Sequence, residues 1–244
     1  MSHLFVFAAG APGVLYALEK STLVGKAVIL VLFLISIVAW SIMITKFRQV
    51  GRAQRSSGRF LMLFRGEKDV RALRAQTIGM RDCPLHEIYA AGCGELEACG
   101  NPSSSLGAGG AVTTDEKLSA LDIVHIEAAL ERAVSEQAMV LENQLTVLAT
   151  AVSAAPFLGL LGTVWGVMDA FADIATTQST SIGALAPGVS AALITTVAGL
   201  FVAIPSMVGY NILVRRIHSL TVMMDNFASE FMTAVRRETT KEEA

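Results

Sequence analysis

Two long uncharged stretches of this sequence carry its most conspicuous candidates for chemistry. No charged residue occurs from Asn143 to Met168 or from Ile174 to Val214. Their notable polar groups are hydroxyls, on Thr163, Ser190, Thr195 and Thr196. Such hydroxyls can hydrate or coordinate a cation, or order water for protons, without placing an unpaired charge in an apolar setting. The alternative role is a hydrogen bond back to a helix carbonyl four residues earlier, which holds helices together.

The same stretches have the length and the small residues of packed membrane helices. At about 1.5 Å per residue, each can cross a hydrocarbon core of roughly 30 Å. Small residues recur at helical spacing, which lets helix backbones approach closely in lipid: Gly162 and Gly166 in the first stretch, and Ala191, Thr195, Gly199 and Ala203 in the second. Pro156 removes a backbone donor from the first stretch, and Pro187 and Pro205 bracket much of the second.

A third uncharged segment lies between Lys26 and Lys46 and is just long enough for one crossing. The composition, 53% hydrophobic and 16% charged, agrees with a membrane protein. We therefore predict an all-α polytopic membrane protein with long cytoplasmic helical extensions. Its three transmembrane helices are predicted at residues 23–45, 139–168 and 186–214.

The distribution of lysine and arginine predicts the orientation. Most of these residues lie between Lys46 and Arg81 or after Val214, and none lies between the second and third spans. The positive-inside rule then places residues 46–138 and 215–244 in the cytoplasm, with residues 1–22 and the short loop 169–185 on the periplasmic side. The apolar N-terminal segment lacks a basic n-region, and it is interpreted either as an interfacial helix or as a frayed terminus.

The cytoplasmic region is predicted to be a helical bundle. Arg48, Arg52, Arg55 and Arg59 recur at helical spacing, so the first membrane helix continues as a basic face that either contacts anionic headgroups or is simply solvated. A short amphipathic helix is predicted to begin at Pro84, and residues 100–112 form a flexible linker. Beyond it, the capping-box spacing of Thr113 and Glu116 predicts one long helix running into the membrane. Apolar stripes should pack in the bundle: Ile126, Leu130, Val134 and Leu141, and Leu220, Met223, Phe227 and Phe231.

Other chemistries find little support. Cys83, Cys93 and Cys99 lack a metal-binding spacing and are expected to be free thiols. The histidines are scattered, and there is no hydrolase triad, no pair of membrane aspartates and no phosphate loop. We therefore expect no enzyme activity, metal, cofactor or nucleic-acid partner.

The residue patterns of the two long stretches, and their order, resemble those of the TolQ/ExbB/MotA family of ion-channel subunits, and TolQ and ExbB most closely. The resemblance covers roughly the last hundred residues. It rests on Pro156 to Gly166, on Ala186-Pro187-Gly188, and on the run from Ala203-Ile204-Pro205 to Tyr210-Asn211. Within these stretches, helix-packing roles are expected for Pro156, Gly159, Gly162, Gly166, Pro187, Gly188, Gly199 and Pro205. One position departs from the pattern, because the TolQ and ExbB pattern has a glutamate where this chain has Ala191.

The resemblance also implies a function. Thr163 and Thr196 match two threonines that face the family's central pore, and Ser190, Ala191 and Thr195 are further possible pore-lining residues. The expected protein is a homopentamer in the bacterial inner membrane that couples the proton motive force to mechanical work. A single-span partner similar to TolR or ExbD would supply the carboxylate, and a transducer similar to TolA or TonB could take part. A sodium-driven channel subunit and a non-conducting scaffold remain open alternatives.

Overall fold

The computed structural model describes residues 22–66, 73, 83–99, 119–177 and 182–241. Within them the regular structure consists of five α-helices. These are α1 (Leu23–Gly66), α2 (Pro84–Cys99), α3 (Ala120–Glu142), α4 (Leu145–Thr177) and α5 (Ile182–Lys241). The predictions for the interfacial N-terminus, the linker 100–112 and the Thr113 cap lie outside the described residues.

Among the described residues, three segments are long and apolar enough to cross a membrane: Leu23–Gly66, Ala120–Thr176 and Leu185–Arg237. In the most apolar part of Leu23–Gly66, only 17% of the residues are buried within the chain. This apolar outer surface requires lipid or other protein chains to cover it. The prediction of an all-helical protein with three membrane-crossing helices is confirmed for the described residues.

The prediction of one uninterrupted helix into the second membrane segment is wrong. Helix α3 ends at Glu142, the cap Asn143 has ψ 140°, and Gln144 has φ 69° before α4 begins at Leu145. A left-handed conformation is unusual for glutamine, and it breaks the helical hydrogen-bond ladder at this point. The N-terminus of α3 has a capping box formed by Ser119 and Asp122.

The chain forms two compact units. Unit 1 comprises residues 1–45 and 144–212, and unit 2 comprises residues 46–143 and 213–244. In unit 1 the first part of α1 packs with α4 and the first part of α5. Its buried cluster of Val28, Leu32, Ala155 and Ala203 combines large side chains from α1 with small ones from α4 and α5. The Thr22 hydroxyl accepts a hydrogen bond from the Gly25 amide at 3.2 Å and caps the start of α1.

Unit 2 is a helical bundle with an aromatic core. Phe60 and Phe64 of α1 contact Tyr89 of α2 and Phe227 of α5 in edge-to-face geometry. Helix α2 begins at Pro84 as predicted, and Leu85, Ile88, Tyr89 and Leu96 are buried. The predicted stripe of α3 is also buried, namely Ile126, Leu130, Val134 and Leu141.

The stripe of α5 needs one correction. Leu220, Phe227 and Phe231 are buried as predicted, but Met223 is only half-buried, and the next residue, Met224, is buried instead. A step of one residue turns a side chain by about 100° around a helix, so a slightly displaced stripe brings Met224 into the core.

Candidate functional site

The candidate site lies in unit 1, where α4 and α5 approach so closely that side chains barely fit between them. A Cβ atom on Gly199 would lie 2.6 Å from the Ala155 carbonyl oxygen, and one on Gly159 would lie 2.9 Å from the Thr195 carbonyl oxygen. A Cβ on Gly166 would lie 2.7 Å from the Ala192 Cβ. These distances are too short for real side chains, so the glycines permit the helix contact.

Three threonine hydroxyls converge on one backbone oxygen within this contact. The carbonyl of Gly159 lies 3.0 Å from the Thr163 hydroxyl, 3.0 Å from the Thr195 hydroxyl and 3.2 Å from the Thr196 hydroxyl. The hydroxyls of Thr163 and Thr196 are also hydrogen-bonded to each other. The structure therefore brings the two predicted ion-pathway residues, which come from different helices, into one cluster.

The cluster offers more hydrogen-bond acceptors than its hydroxyl hydrogens can fill. Each hydroxyl has one hydrogen, and Thr195 also lies 2.7 Å from the Ala192 carbonyl. Between Thr163 and Thr196, either hydroxyl can donate to the other, and the acceptor can then donate to Gly159. A pair whose donor direction can reverse is suited to ordering water or passing a proton, and it also joins the two helices.

Exposure separates the three threonines. Thr195 has 0% of its surface exposed, whereas Thr163 and Thr196 are half-buried. A Cβ added to Gly162 would lie 2.6 Å from the Thr195 hydroxyl oxygen, so Thr195 fills the space that this glycine leaves. Thr195 is therefore enclosed in the single chain, and Thr163 and Thr196 reach its surface.

The remaining predicted pore positions fall into two environments. Ser190 is exposed, and Ala191 is buried at 3% exposure. Ala191 lines a cavity of about 10 Å³ together with small residues and two threonines, Thr22, Gly25, Gly162, Gly166, Gly188, Ala192 and Thr195. That volume accommodates about one water molecule. Nothing the size of a glutamate side chain fits there without moving the helices.

The predicted packing prolines lie inside continuous helices. Pro156 is within α4, and Pro187 and Pro205 are within α5. Gly188 also lies at a contact, because a Cβ there would be 3.0 Å from the Ala170 Cβ. Proline is tolerated at such positions when neighbouring helices and hydroxyls satisfy the freed backbone groups.

Lys46 has a role that the sequence analysis missed. It is buried, with 3% exposure, and its Nζ donates hydrogen bonds to the carbonyls of Val140 at 3.3 Å and Leu141 at 3.2 Å. These carbonyls belong to the last turn of α3, where helical carbonyls lack partners and the dipole favours a cation. Lys46 therefore caps α3 directly before the break at Asn143. The only signal in the sequence is its position as the first charge after a membrane span.

The cysteines of unit 2 form no disulfide in the part of the chain that the structure describes, as predicted, with Cys83 and Cys93 buried and Cys99 half-buried. Burial raises the pKa of the Cys99 thiol, and the Asp122 carboxylate raises that pKa further through its charge and a hydrogen bond, with a smaller contribution from Glu95. In the part of the chain that the structure describes, no three His, Cys, Asp or Glu side chains are grouped to hold a metal.

Comparison with known proteins agrees with this architecture. Residues 109–226 match the MotA/TolQ/ExbB proton channel family. The Tol-Pal system protein TolQ of Haemophilus influenzae is 30% identical over 223 residues, which are 90% of this chain and 92% of that protein. The biopolymer transport protein ExbB of Pseudomonas putida is 31% identical over 222 residues, 90% of this chain and 62% of that protein. A second TolQ, from Pseudomonas aeruginosa, is 41% identical over 109 residues, 45% of this chain and 47% of that protein.

These matches, together with the three apolar helices, define the class of protein. The chain is a membrane protein that belongs to the MotA/TolQ/ExbB proton channel family.

Proposed function

We propose that the chain is a channel subunit of the bacterial inner membrane that uses the proton motive force to drive mechanical work on periplasmic or outer-membrane components. It would act with a single-span partner similar to TolR or ExbD, and with a transducer similar to TolA or TonB. The N-terminus would be periplasmic and the C-terminus cytoplasmic, as the distribution of basic residues indicates.

The hydroxyl cluster is the observation that carries the proposal. Thr163, Thr196 and the Gly159 carbonyl form a polar site between the uncharged parts of the two helices, residues 145–168 of α4 and 182–214 of α5. A proton path needs a titrating group as well as hydroxyls, and Ala191 cannot supply one. The partner's membrane carboxylate would therefore titrate, while the half-buried hydroxyls order water beside it.

The exposed surface of unit 1 supports a homo-oligomer, which we propose to be a pentamer. Several large apolar side chains of α4 and α5 are exposed in the single chain: Phe157, Leu161, Val164, Leu193, Val197, Leu200 and Phe201. Because Thr163 and Thr196 are half-buried beside them, copies arranged around an axis would bring these hydroxyls to a shared lumen.

Two alternatives each have one observation in their favour. The cluster consists only of hydroxyl and carbonyl oxygens, which are suitable ligands for sodium. A non-conducting scaffold is favoured by the fact that every one of these hydroxyls lies within bonding distance of a helix carbonyl, the arrangement of threonines that join helices. We favour the proton channel because the chain belongs to a proton channel family.

Ion flux into proteoliposomes distinguishes the three functions. The full chain is reconstituted with its single-span partner, and flux is measured under a proton gradient and, separately, under a sodium gradient. The proposal requires flux under the proton gradient that disappears when the partner's membrane aspartate is replaced by asparagine. Flux under sodium alone would favour the sodium channel. No flux above that of empty liposomes, with the complex shown to be assembled, would favour the scaffold.

A further inference from the structure

A stripe of arginines on unit 2 has no ion-pair partner in the described chain. Arg48, Arg52, Arg55 and Arg59 recur every three or four residues along α1, and all four are exposed. They lie opposite the buried positions Val50 and Ser57 of the same helix. Within the described residues the ion pair that forms joins Arg65 and Glu230 instead, at 2.9 Å.

Helix α3 carries an acidic stripe that is also unpaired among the described residues. Glu127 and Glu131 are one helical turn apart on the same face, and both are exposed. They lie beside the buried stripe of Ile126 and Leu130, so the carboxylates project from the flank of the bundle.

The contacts within unit 2 fix the order of these charges. Lys46 meets α3 at Leu141. At the other end, Phe64 stacks on Phe231, and Phe231 and Leu130 flank the same glycine, Gly92. Helices α1 and α3 therefore run antiparallel to each other.

The two stripes also have the same spacing. Arg55 and Arg59 are four residues apart on α1, and Glu131 and Glu127 are four residues apart on α3, which is roughly 6 Å in each case. Both pairs are therefore met in this order when moving away from the Lys46 to Leu141 contact. The spacing of the arginines therefore matches that of the glutamates.

We propose that the arginine stripe of one copy pairs with the acidic stripe of the next copy, with Arg55 opposite Glu131 and Arg59 opposite Glu127. This rests on the proposed homo-oligomer. In a closed ring whose axis runs along these helices, residues at equal height on neighbouring copies face each other. Helices packed about 8–10 Å apart bring arginine and glutamate side chains within hydrogen-bond reach.

An anionic lipid surface fits this stripe less well than a second copy does. The headgroup region beyond the hydrocarbon core is only about 5–8 Å thick on each side. Arg59, roughly 20 Å along α1 from Lys46, lies beyond that layer if α1 leaves the membrane near Lys46. A lipid contact would use Arg48 and leave Arg55 and Arg59 without a partner.

Charge reversal tests the pairing on the full chain in mild detergent. Arg55→Glu places two carboxylates at each interface, and Glu131→Arg places two guanidinium groups there. Because like charges then face each other, each single variant should dissociate at a protein concentration about tenfold higher than the wild type does. The double variant Arg55→Glu, Glu131→Arg should return that concentration to the wild-type value. Arg237→Glu changes the net charge equally on an exposed position of α5 and should leave it unchanged.

The outcomes separate this inference from the proposed function. If the wild type is oligomeric and both single reversals dissociate at the wild-type concentration, the pairing is wrong and the homo-oligomer stands. If the singles weaken assembly but the double reversal gives no rescue, the pairing is also wrong. Loss of binding to phosphatidylglycerol vesicles by Arg55→Glu, with assembly unaffected, would assign the stripe to lipid and overturn it. A monomeric wild type would overturn both proposals.

Discussion

The hydroxyl of Thr163 on α4 is hydrogen-bonded to the hydroxyl of Thr196 on α5, and both lie within bonding distance of the Gly159 carbonyl. The same three groups therefore hold two helices together and form the polar part of the candidate ion path. Structural and functional effects of these residues have to be measured separately, by assembly and by flux.

The close approach of α4 and α5 predicts an unusual cost for a small substitution. In Gly199→Ala the new methyl group would meet the Ala155 carbonyl oxygen at 2.6 Å, and backbone cannot give way as a flexible side chain can. We expect the free energy of unfolding to fall by about 1–3 kcal/mol, which is typical of overpacking, although alanine has a higher helix propensity than glycine. Thermal unfolding in detergent would show a lower midpoint. Gly183→Ala, with nothing within 4 Å of its Cβ, should leave the midpoint unchanged or raise it; an equal drop in both variants would contradict this explanation.

The cavity at Ala191 predicts that the family's glutamate cannot simply be restored. Ala191→Ser adds one atom, which the space of about 10 Å³ accommodates. Ala191→Glu adds a longer and ionisable side chain at a buried position, and overpacking alone should cost about 1–3 kcal/mol. We expect Ala191→Ser to purify with the wild-type elution profile and unfolding midpoint, and Ala191→Glu to aggregate or unfold at lower temperature. A stable Ala191→Glu variant would show that the helices can rearrange around this position.

Lys46 is predicted to stabilise the end of α3. Lys46→Met keeps much of the side-chain volume but leaves the Val140 and Leu141 carbonyls without their donor. Leaving buried carbonyls without a donor lowers the free energy of unfolding by about 1–3 kcal/mol. Hydrogen exchange of the α3 amides should accelerate in Lys46→Met and not in Arg48→Met, which removes an exposed charge two residues away. Unchanged exchange in Lys46→Met would mean that water replaces the ammonium group at no cost.

The Cys99 thiol should have a pH profile displaced to high pH. Burial and the Asp122 carboxylate raise its pKa, so less thiolate is present at a given pH, and alkylation by maleimide should be slower than for a free thiol. With Cys83 and Cys93 replaced by alanine, Asp122→Asn should shift the alkylation profile to lower pH, because the charge is removed. Glu136→Gln, roughly 21 Å further along the same helix, should not shift it. Identical profiles for Asp122→Asn and the parent would remove Asp122 as a cause.

Much of the fold was predictable because it depends on periodicity. The uncharged runs predicted the membrane-crossing helices, and the spacing of Leu85, Ile88, Tyr89 and Leu96 predicted α2 and its start at Pro84. The break before α4 was not predictable in the same way. Gln144 adopts φ 69° without the glycine that usually marks such a turn, so local sequence carries no signal for it.

The sequence allowed the residues of the candidate site to be named, but not the contacts between them. Sequence spacing placed Thr195 in the small-residue stripe, which indicates a position at a helix contact, and the structure encloses it there. The meeting of Thr163 with Thr196 depends on the register between two helices, which neither helix encodes alone. The buried state of Lys46 likewise depends on where α3 ends.

The most direct test of the channel proposal deletes the two hydroxyls without changing side-chain shape. Thr163→Val and Thr196→Val are combined in the full chain, and proton flux is measured in proteoliposomes with the single-span partner, after confirming that the oligomer elutes as the wild type does. Thr150→Val, which removes an exposed α4 hydroxyl that donates to the Thr146 carbonyl outside the cluster, serves as the control. We predict that flux in the double valine variant falls at least about tenfold, the effect of losing a group that orders the transferred proton, while Thr150→Val retains flux. Wild-type flux in the assembled double valine variant would contradict the proposal and leave these threonines with a purely structural role.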